Sequence, residues 1–167
     1  ASVAARHALA AHGLERGAII DFDVHHGNGT EDCCAGDDRI LMCSIFQHPF
    51  YPYSGADKPA ANMCNVPLAA GCGGEEFRDA VNQVWMPRLK EFKPQLIIIS
   101  AGFDGHYEDD MGGLKLVEKD YAWCTEELKK VAAQFSEKRI VSMLEGGYVM
   151  TSLARSVGAH LRSLADL

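Results

Sequence analysis

The sequence lacks several features that would indicate other classes of protein. None of its six cysteines form a Cys-x-x-Cys pair, so a zinc finger and a secreted disulfide framework both explain them poorly. No apolar run approaches the ~20 residues of a membrane span, and the first residues contain no signal-peptide core. The net charge is −7, without a basic run. We therefore expect an intracellular protein, cytoplasmic or nuclear, that makes no direct contact with nucleic acid or membrane.

What is present indicates one domain in which buried strands alternate with helices. The 167 residues are enough for a sizeable core, and 47% of them are hydrophobic. The strands are apolar throughout, which is typical of a parallel sheet covered on both faces. The pattern predicts a three-layer α/β/α fold. We expect strands at 16–23, 39–46, 94–103 and 139–148, a weaker extended stretch at 62–69, and helices at 2–13, 30–35, 74–92, 121–135 and 150–164. Pro87 predicts a kink or break of its helix near Met86.

Polar side chains follow three of the predicted strands. The first strand ends in DFDVHH (21–26), the third is followed by Asp104, and the fourth runs into Glu145-Gly-Gly-Tyr148. In parallel sheets, ligands bind where the carboxyl ends of strands meet. A single aspartate at such a position often only caps a helix, but so many acids together would repel each other without a cation. The sequence therefore predicts a site at this edge of the sheet.

The spacing of these side chains suggests a metal ion. Residues i and i+2 of an extended chain point to the same side, so Asp23 and His25 can bind one ion together. Asp104 would supply a third ligand and leave further positions open, as a hydrolytic site requires. Zinc suits this set best, although iron and manganese also fit it. His26 points the other way, and Tyr148 could donate a hydrogen bond to an oxyanion.

Three segments carry a resemblance to a known family. DFDVHHGNGTED, SAGFDGHYEDDMGGLKL and LEGGY, in this order, resemble the histone deacetylase family, which has the arginase/deacetylase fold. They look most like the class II enzymes and their bacterial deacetylase-like relatives. Acetylpolyamine amidohydrolases are also similar around HHGNGT, but less so around SAGFD. The resemblance implies a zinc-dependent amidohydrolase that acts on acetyl-lysine in a histone or another protein, or on a related acylated amine.

The resemblance also assigns roles to individual residues. It implies that Asp23, His25 and Asp104 bind one zinc ion and that Tyr148 polarises the scissile amide carbonyl. It further implies that Asp21 and Asn28 support two catalytic histidines. Tyr51 matches an aromatic wall of the acyl-lysine tunnel. A structural potassium ion is implied as well, with contributions from Asp21, Asp23, His25, Ser44 and Ile45.

The largest departure from the family is an absence. Family members carry a paired-histidine motif and a glycine-phenylalanine motif upstream of DFDVHH, and neither occurs in these residues. We therefore expect 1–167 to be a single partial domain, the C-terminal portion of a deacetylase domain with an incomplete sheet. A non-catalytic alternative is an interaction or assembly module that uses an exposed sheet edge. Such a chain would form a homo-oligomer or bind a complementing chain.

Overall fold

The fold is built on one parallel sheet. The computed structural model describes all residues from Ala1 to Leu167. Its five strands lie in the order β3-β2-β1-β4-β5, and every neighbouring pair is parallel. All residues of the three inner strands are buried, as expected for strands covered on both faces. The strands are β1 (Gly17–Asp21), β2 (Ile40–Gln47), β3 (Met63–Leu68), β4 (Leu96–Ala101) and β5 (Ile140–Leu144).

Helices cover the two faces of the sheet. They are α1 (Ser2–Ala11), α2 (Asn28–Cys34), α3 (Gly74–Ala80), α4 (Met86–Phe92), α5 (Glu118–Phe135) and α6 (Met150–Ala165). Alternate strand residues point to opposite faces. Ile19 belongs to a small core with α1 and α2, whereas Ile20 belongs to a large core with α3, α4 and α5. The predicted three-layer α/β/α architecture is therefore confirmed.

The irregularity expected near Met86 is a π-helical turn. Residues Val81–Trp85 form this turn between α3 and α4, and the Met86 N–H binds the carbonyl of Val81. Pro87 lies in the first turn of α4. Because proline has no N–H, it cannot complete the α-helical hydrogen bond to the fourth residue before it. The helix widens for one turn and then continues to Phe92, so the predicted break is a local bulge.

The prediction of a buried strand over 139–148 is wrong in extent and in burial. The strand covers only Ile140–Leu144, and Val141 and Leu144 are 46% and 62% exposed. β5 is an edge strand, paired only with β4. After Leu144 the chain leaves the sheet through Gly146 and Gly147. Strand β3 forms the opposite edge and is also partly exposed.

No helix combines the length and apolar character that a membrane crossing requires.

Candidate metal centre

The carboxyl ends of β1 and β4 bring together three side chains of metal-binding type. The two strands are paired in parallel, with Asp21 opposite Ser100. Asp23 and His25 follow β1, and Asp104 follows β4. His25 Nδ1 lies 3.0 Å from Asp23 Oδ1 and 3.2 Å from Asp104 Oδ2. One ligand atom from each of these three residues lies within 4.8 Å of the other two, so the three can share one ion.

Backbone N–H groups fix the two carboxylates. Asp104 Oδ1 accepts a hydrogen bond from the Val24 N–H at 2.9 Å. Asp23 Oδ1 accepts one from the His25 N–H at 2.8 Å, and Asp23 Oδ2 accepts one from the Gly146 N–H at 2.9 Å. These bonds come from segments that follow β1 and β5. The backbone at the strand ends thus orients both carboxylates.

Glycine at position 146 lets the backbone approach the carboxylates closely. A Cβ atom at Gly146 would overlap the Asp104 carboxylate and lie only 2.6 Å from Asp23 Oδ2. Gly102 is in a similar position, because a Cβ there would overlap Asp23. A larger residue at either position would push a carboxylate out of the cluster.

The electrostatics of the cluster favour a cation. Hydrogen bonds to Asp104 and Asp23 raise the pKa of His25 to about 10. Burial raises the pKa of Asp104, although the hydrogen bond with His25 acts against this. Apart from the His25 ring nitrogen, the buried Asp104 Oδ2 atom has no hydrogen-bond partner. A buried carboxylate oxygen with so few partners is energetically unfavourable unless a nearby positive charge compensates its own charge.

These observations show that the residues fit a divalent cation. Two carboxylate oxygens and one imidazole nitrogen suit zinc and leave coordination positions free for water and substrate. A ligating imidazole is neutral, so an ion would displace the proton that His25 otherwise binds.

Asp21 lies beneath the cluster and lines a polar cavity. It is buried, and its Oδ1 atom accepts a hydrogen bond from the Asp23 N–H at 3.1 Å. Burial, followed by the charge of Asp23, raises the pKa of Asp21 well above its usual range. Asn28, the first residue of α2, is exposed and does not line the cavity. The cavity measures about 230 Å³ and is lined by Asp21, Asp23, His25, His26, Gly27, Thr30, Ser100 and Glu145.

Ser44 and Ile45 lie on β2, next to this cavity in the sheet. Ser44 is opposite Asp21 in the β1–β2 register. It is fully buried, and its Oγ atom has no hydrogen-bond partner. The Ile45 side chain points into the large core, so only its backbone could contribute to an ion site. The expected potassium contributors are therefore adjacent along the strands, and the potassium ion itself stays a prediction.

Two aromatic residues flank His25 on the loop after β2. The Phe50 ring stacks on the His25 ring with the centroids 5.4 Å apart. Tyr51, the residue predicted to form a tunnel wall, lies edge-on to His25 at 6.2 Å and is 66% exposed. Sequence reasoning missed Phe50. The aromatic run PFYPY was its only signal.

The segment after β5 contributes Tyr148 and Glu145. Tyr148 is 54% exposed. Partial burial and then the charges of Asp104 and Asp23 raise the pKa of its phenol, which therefore lies within the field of the acidic cluster. Glu145 belongs to a polar strand end that was predicted to join the site, but no role was predicted for it. Its carboxylate accepts a hydrogen bond from Ser100 Oγ at 3.1 Å and lines the cavity. Its position in the LEGGY motif, at a strand end, was the available signal.

Comparison with known proteins identifies the family. The sequence profile of the histone deacetylase domain matches residues 1–164. The chain belongs to the histone deacetylase family. Type-2 histone deacetylase 2 of Dictyostelium discoideum is 40% identical over 99% of this chain and 11% of that protein. The histone deacetylase-like amidohydrolase of Pseudomonas aeruginosa is 36% identical over 88% of this chain and 40% of that protein.

Solved deacetylase structures show the same fold. The histone deacetylase Clr3 superposes with a TM-score of 0.90 and 31% identity, over 99% of this chain and 30% of Clr3. The HDA15 domain superposes with a TM-score of 0.85, over 93% of this chain and 46% of that domain's chain. The chain therefore has the arginase/deacetylase fold. It spans about half or less of the length of these relatives, including 53% of an uncharacterized Synechocystis protein that is 39% identical.

Proposed function

We propose that the chain is the metal-binding, C-terminal portion of a zinc-dependent deacetylase domain. Its substrate would be an N-acetylated lysine of a histone or another protein. The observation that carries this proposal is the convergence of Asp23, His25 and Asp104, whose ligand atoms lie within 4.8 Å of one another. Membership of the histone deacetylase family supports the same reaction class.

The three convergent residues would hold one zinc ion. When bound, zinc would supply Lewis-acid polarisation of the amide carbonyl and lower the pKa of a bound water towards about 7. The chain itself supplies the geometry. Backbone N–H groups of Val24, His25 and Gly146 hold the carboxylates in a fixed orientation. Such preorganisation avoids reorganisation during the reaction.

Tyr148 would stabilise the tetrahedral oxyanion. Its phenol has a raised pKa, so it remains protonated at neutral pH and can donate a hydrogen bond. Its side chain is half-exposed and accessible to a substrate. Removal of one such donor typically lowers the rate by roughly 10²–10³-fold.

The general base would come from a segment outside residues 1–167. The polar cavity beside the cluster offers a place for it, because buried Asp21 has few partners of its own there. A carboxylate in this position can accept the Nδ1–H of an imidazole and so fix its tautomer. Asn28 would support a second histidine. Because Asn28 is exposed in this chain, that histidine would belong to another segment that covers Asn28.

A potassium ion and an aromatic wall would complete the proposed site. A potassium ion would bind at the carboxyl ends of β1 and β2, held by Asp21, Asp23, His25 and the backbone of Ser44 and Ile45. Tyr51, with Phe50, would form one wall of the channel that accepts the acyl-lysine, since both rings flank His25.

The half-exposed strand β5 favours a second candidate function. Val141 and Leu144 leave an apolar strand edge open at one side of the sheet. An edge of this kind pairs readily with another chain. In this alternative the chain acts as an assembly module, as a homo-oligomer or with a complementing chain, and does not turn over substrate.

Turnover by the full-length gene product tests the proposal. We expect zinc-dependent release of acetate from an acetyl-lysine peptide, and a loss of roughly 10²–10³-fold in kcat for Tyr148→Phe with the zinc content unchanged. Tyr53→Phe is the matched control, because Tyr53 is also a largely exposed tyrosine, with 75% of its surface accessible. Faster turnover of an acetylated polyamine would identify an acetylpolyamine amidohydrolase. Absence of metal-dependent turnover on both substrates would contradict the enzymatic proposal.

A further inference from the structure

The carboxylate of Asp109 binds the backbone of the segment that carries Tyr148. Asp109 Oδ2 accepts hydrogen bonds from the N–H groups of Tyr148 at 2.7 Å and Val149 at 3.2 Å. Its other oxygen, Oδ1, accepts one from the Met111 N–H at 3.0 Å. Asp109 is buried, with 4% of its surface exposed. Three backbone donors therefore stabilise a buried charge, and two of them come from residues about 39 positions away in the sequence.

Asp109 links two segments that both contribute to the metal centre. It lies on the loop that follows β4 and that also carries Asp104. Tyr148 and Val149 immediately precede α6. The N–H groups at a helix start have no partners within the helix, and Val149 has no side-chain oxygen that could cap them. Asp109 instead accepts the N–H groups of Val149, the N-cap residue, and of Tyr148 before it, and the helix dipole favours its charge there.

The loop that carries Asp109 is itself held firmly. The Phe103 N–H binds the Gly146 carbonyl at 2.8 Å, next to Asp104. The Glu108 N–H binds Nδ1 of the buried His106 at 3.1 Å, and the Glu108 carboxylate pairs with Arg155 of α6 at 2.7 Å. These contacts connect the loop that carries Asp109 to the Gly146 segment and to α6.

Tyr148 needs an anchor because little else fixes it. It follows Gly146 and Gly147, and Gly147 has a φ of +133°, which other residues rarely adopt. The Tyr148 side chain is half-exposed, so packing constrains it weakly. Its backbone N–H bond to Asp109 is a short contact to a charged acceptor, which is the stronger kind of hydrogen bond.

We propose that Asp109 is a positioning residue that fixes the backbone of Tyr148 so that its phenol faces the metal centre. This inference rests on the proposed role of Tyr148 as an oxyanion donor. A helix cap that served stability alone would make the same contacts, so the tests must separate positioning from stability. Asp110 provides the matched control, because it is the next residue and its side chain is exposed.

Hydrogen exchange tests the anchor without any turnover. In this chain, we expect Asp109→Ala to accelerate exchange of the Tyr148 and Val149 amides at least about tenfold, because local opening releases them. Asp110→Ala should leave both amides unchanged, and Asp109→Asn, which keeps one acceptor oxygen, should lie between. Zinc content should stay at the wild-type level in all three variants, since none removes a ligand. Unchanged amide exchange in Asp109→Ala would overturn the proposal.

A double-mutant cycle in the full-length gene product tests the link to Tyr148. We expect Asp109→Ala to lower kcat by roughly 10- to 100-fold with little change in KM, because a misplaced donor acts on the transition state. In a Tyr148→Phe background the same change should have almost no further effect on kcat, since the donor is already absent. Equal losses of kcat in both backgrounds would show a role in stability only and overturn the proposal. An inactive wild-type enzyme would contradict the proposed function. In that case the hydrogen-exchange result alone would show whether Asp109 holds the backbone of Tyr148.

Discussion

The buried carboxylates of this protein fall into two groups according to their partners. Asp120 pairs with Arg78 at 2.7 Å and also accepts the Val117 N–H at 2.9 Å at the start of α5. Asp109 is satisfied by backbone donors. Asp21 and Asp104 lack comparable partners, and burial raises the pKa of both. Incomplete compensation therefore distinguishes Asp21 and Asp104, at the candidate metal centre, from Asp109 and Asp120.

His160 is a buried residue whose ionisation should affect stability. Its ring contacts Thr125 Oγ1 at 2.6 Å and Ser142 Oγ at 2.9 Å, and 2% of its surface is exposed. Burial lowers its pKa to about 4, from about 6.5 in the unfolded chain. The unfolded state therefore binds the proton more tightly. The stability contributed by neutral His160 is fully present above pH ~6.5 and is lost as the pH falls towards 4.

We predict that replacement of His160 makes stability less dependent on pH. Between pH 7 and pH 5, the wild-type free energy of unfolding should fall by about 2 kcal/mol more than that of His160→Gln. Urea denaturation with a metal chelator at both pH values measures this difference. His12→Gln, a change at an exposed helix end, should behave as wild type. If His160→Gln keeps the full pH dependence, protonation of this residue does not govern it.

At the scale of the elements, apolar runs were enough to predict the strands but not their places in the sheet. β1 and β4 are almost continuously apolar and lie inside the sheet. The segment at 139–148 has a similar composition and yet forms an edge strand that ends at Leu144. Apolar composition indicates that a strand packs against helices. It does not indicate whether a strand has one neighbour or two, because strands pair through backbone groups that every residue has.

The candidate site, too, could be predicted only in part from the sequence. The i, i+2 spacing predicted that Asp23 and His25 act together, since that geometry is local. The motifs carried the link to Asp104 and Tyr148. Phe50 and Asp109 were missed because their contacts join segments that are distant in the sequence.

The open edge of β5 leads to a prediction about association. Since Val141 is 46% exposed on an edge strand, we expect the isolated 18.2 kDa chain to self-associate. Val141→Lys should shift it towards monomer, because a charge at a strand edge discourages pairing. Sedimentation velocity measures the change, with Val3→Lys on α1 as the control for a charge at another exposed valine. A wild-type chain that sediments as a monomer would count against the assembly function.

At the scale of the whole molecule, the carboxyl edge of the sheet concentrates the chemistry. The segments that follow β1, β2, β4 and β5 all reach the cluster of Asp23, His25 and Asp104. The helices and both cores support this edge and contribute none of these ligands. The site therefore depends on the order of the strands, because Asp104 meets Asp23 and His25 only when β1 and β4 are neighbours.

Zinc content is the most direct test of this account. After exchange into metal-free buffer with limiting zinc, mass spectrometry of the wild-type chain should find about one zinc ion per chain. Asp104→Ala should retain almost none, whereas Asp110→Ala should bind as the wild type does, with circular dichroism confirming that both variants fold. Equal zinc content in Asp104→Ala and wild type would contradict the claim that residues at the ends of β1 and β4 share a single ion.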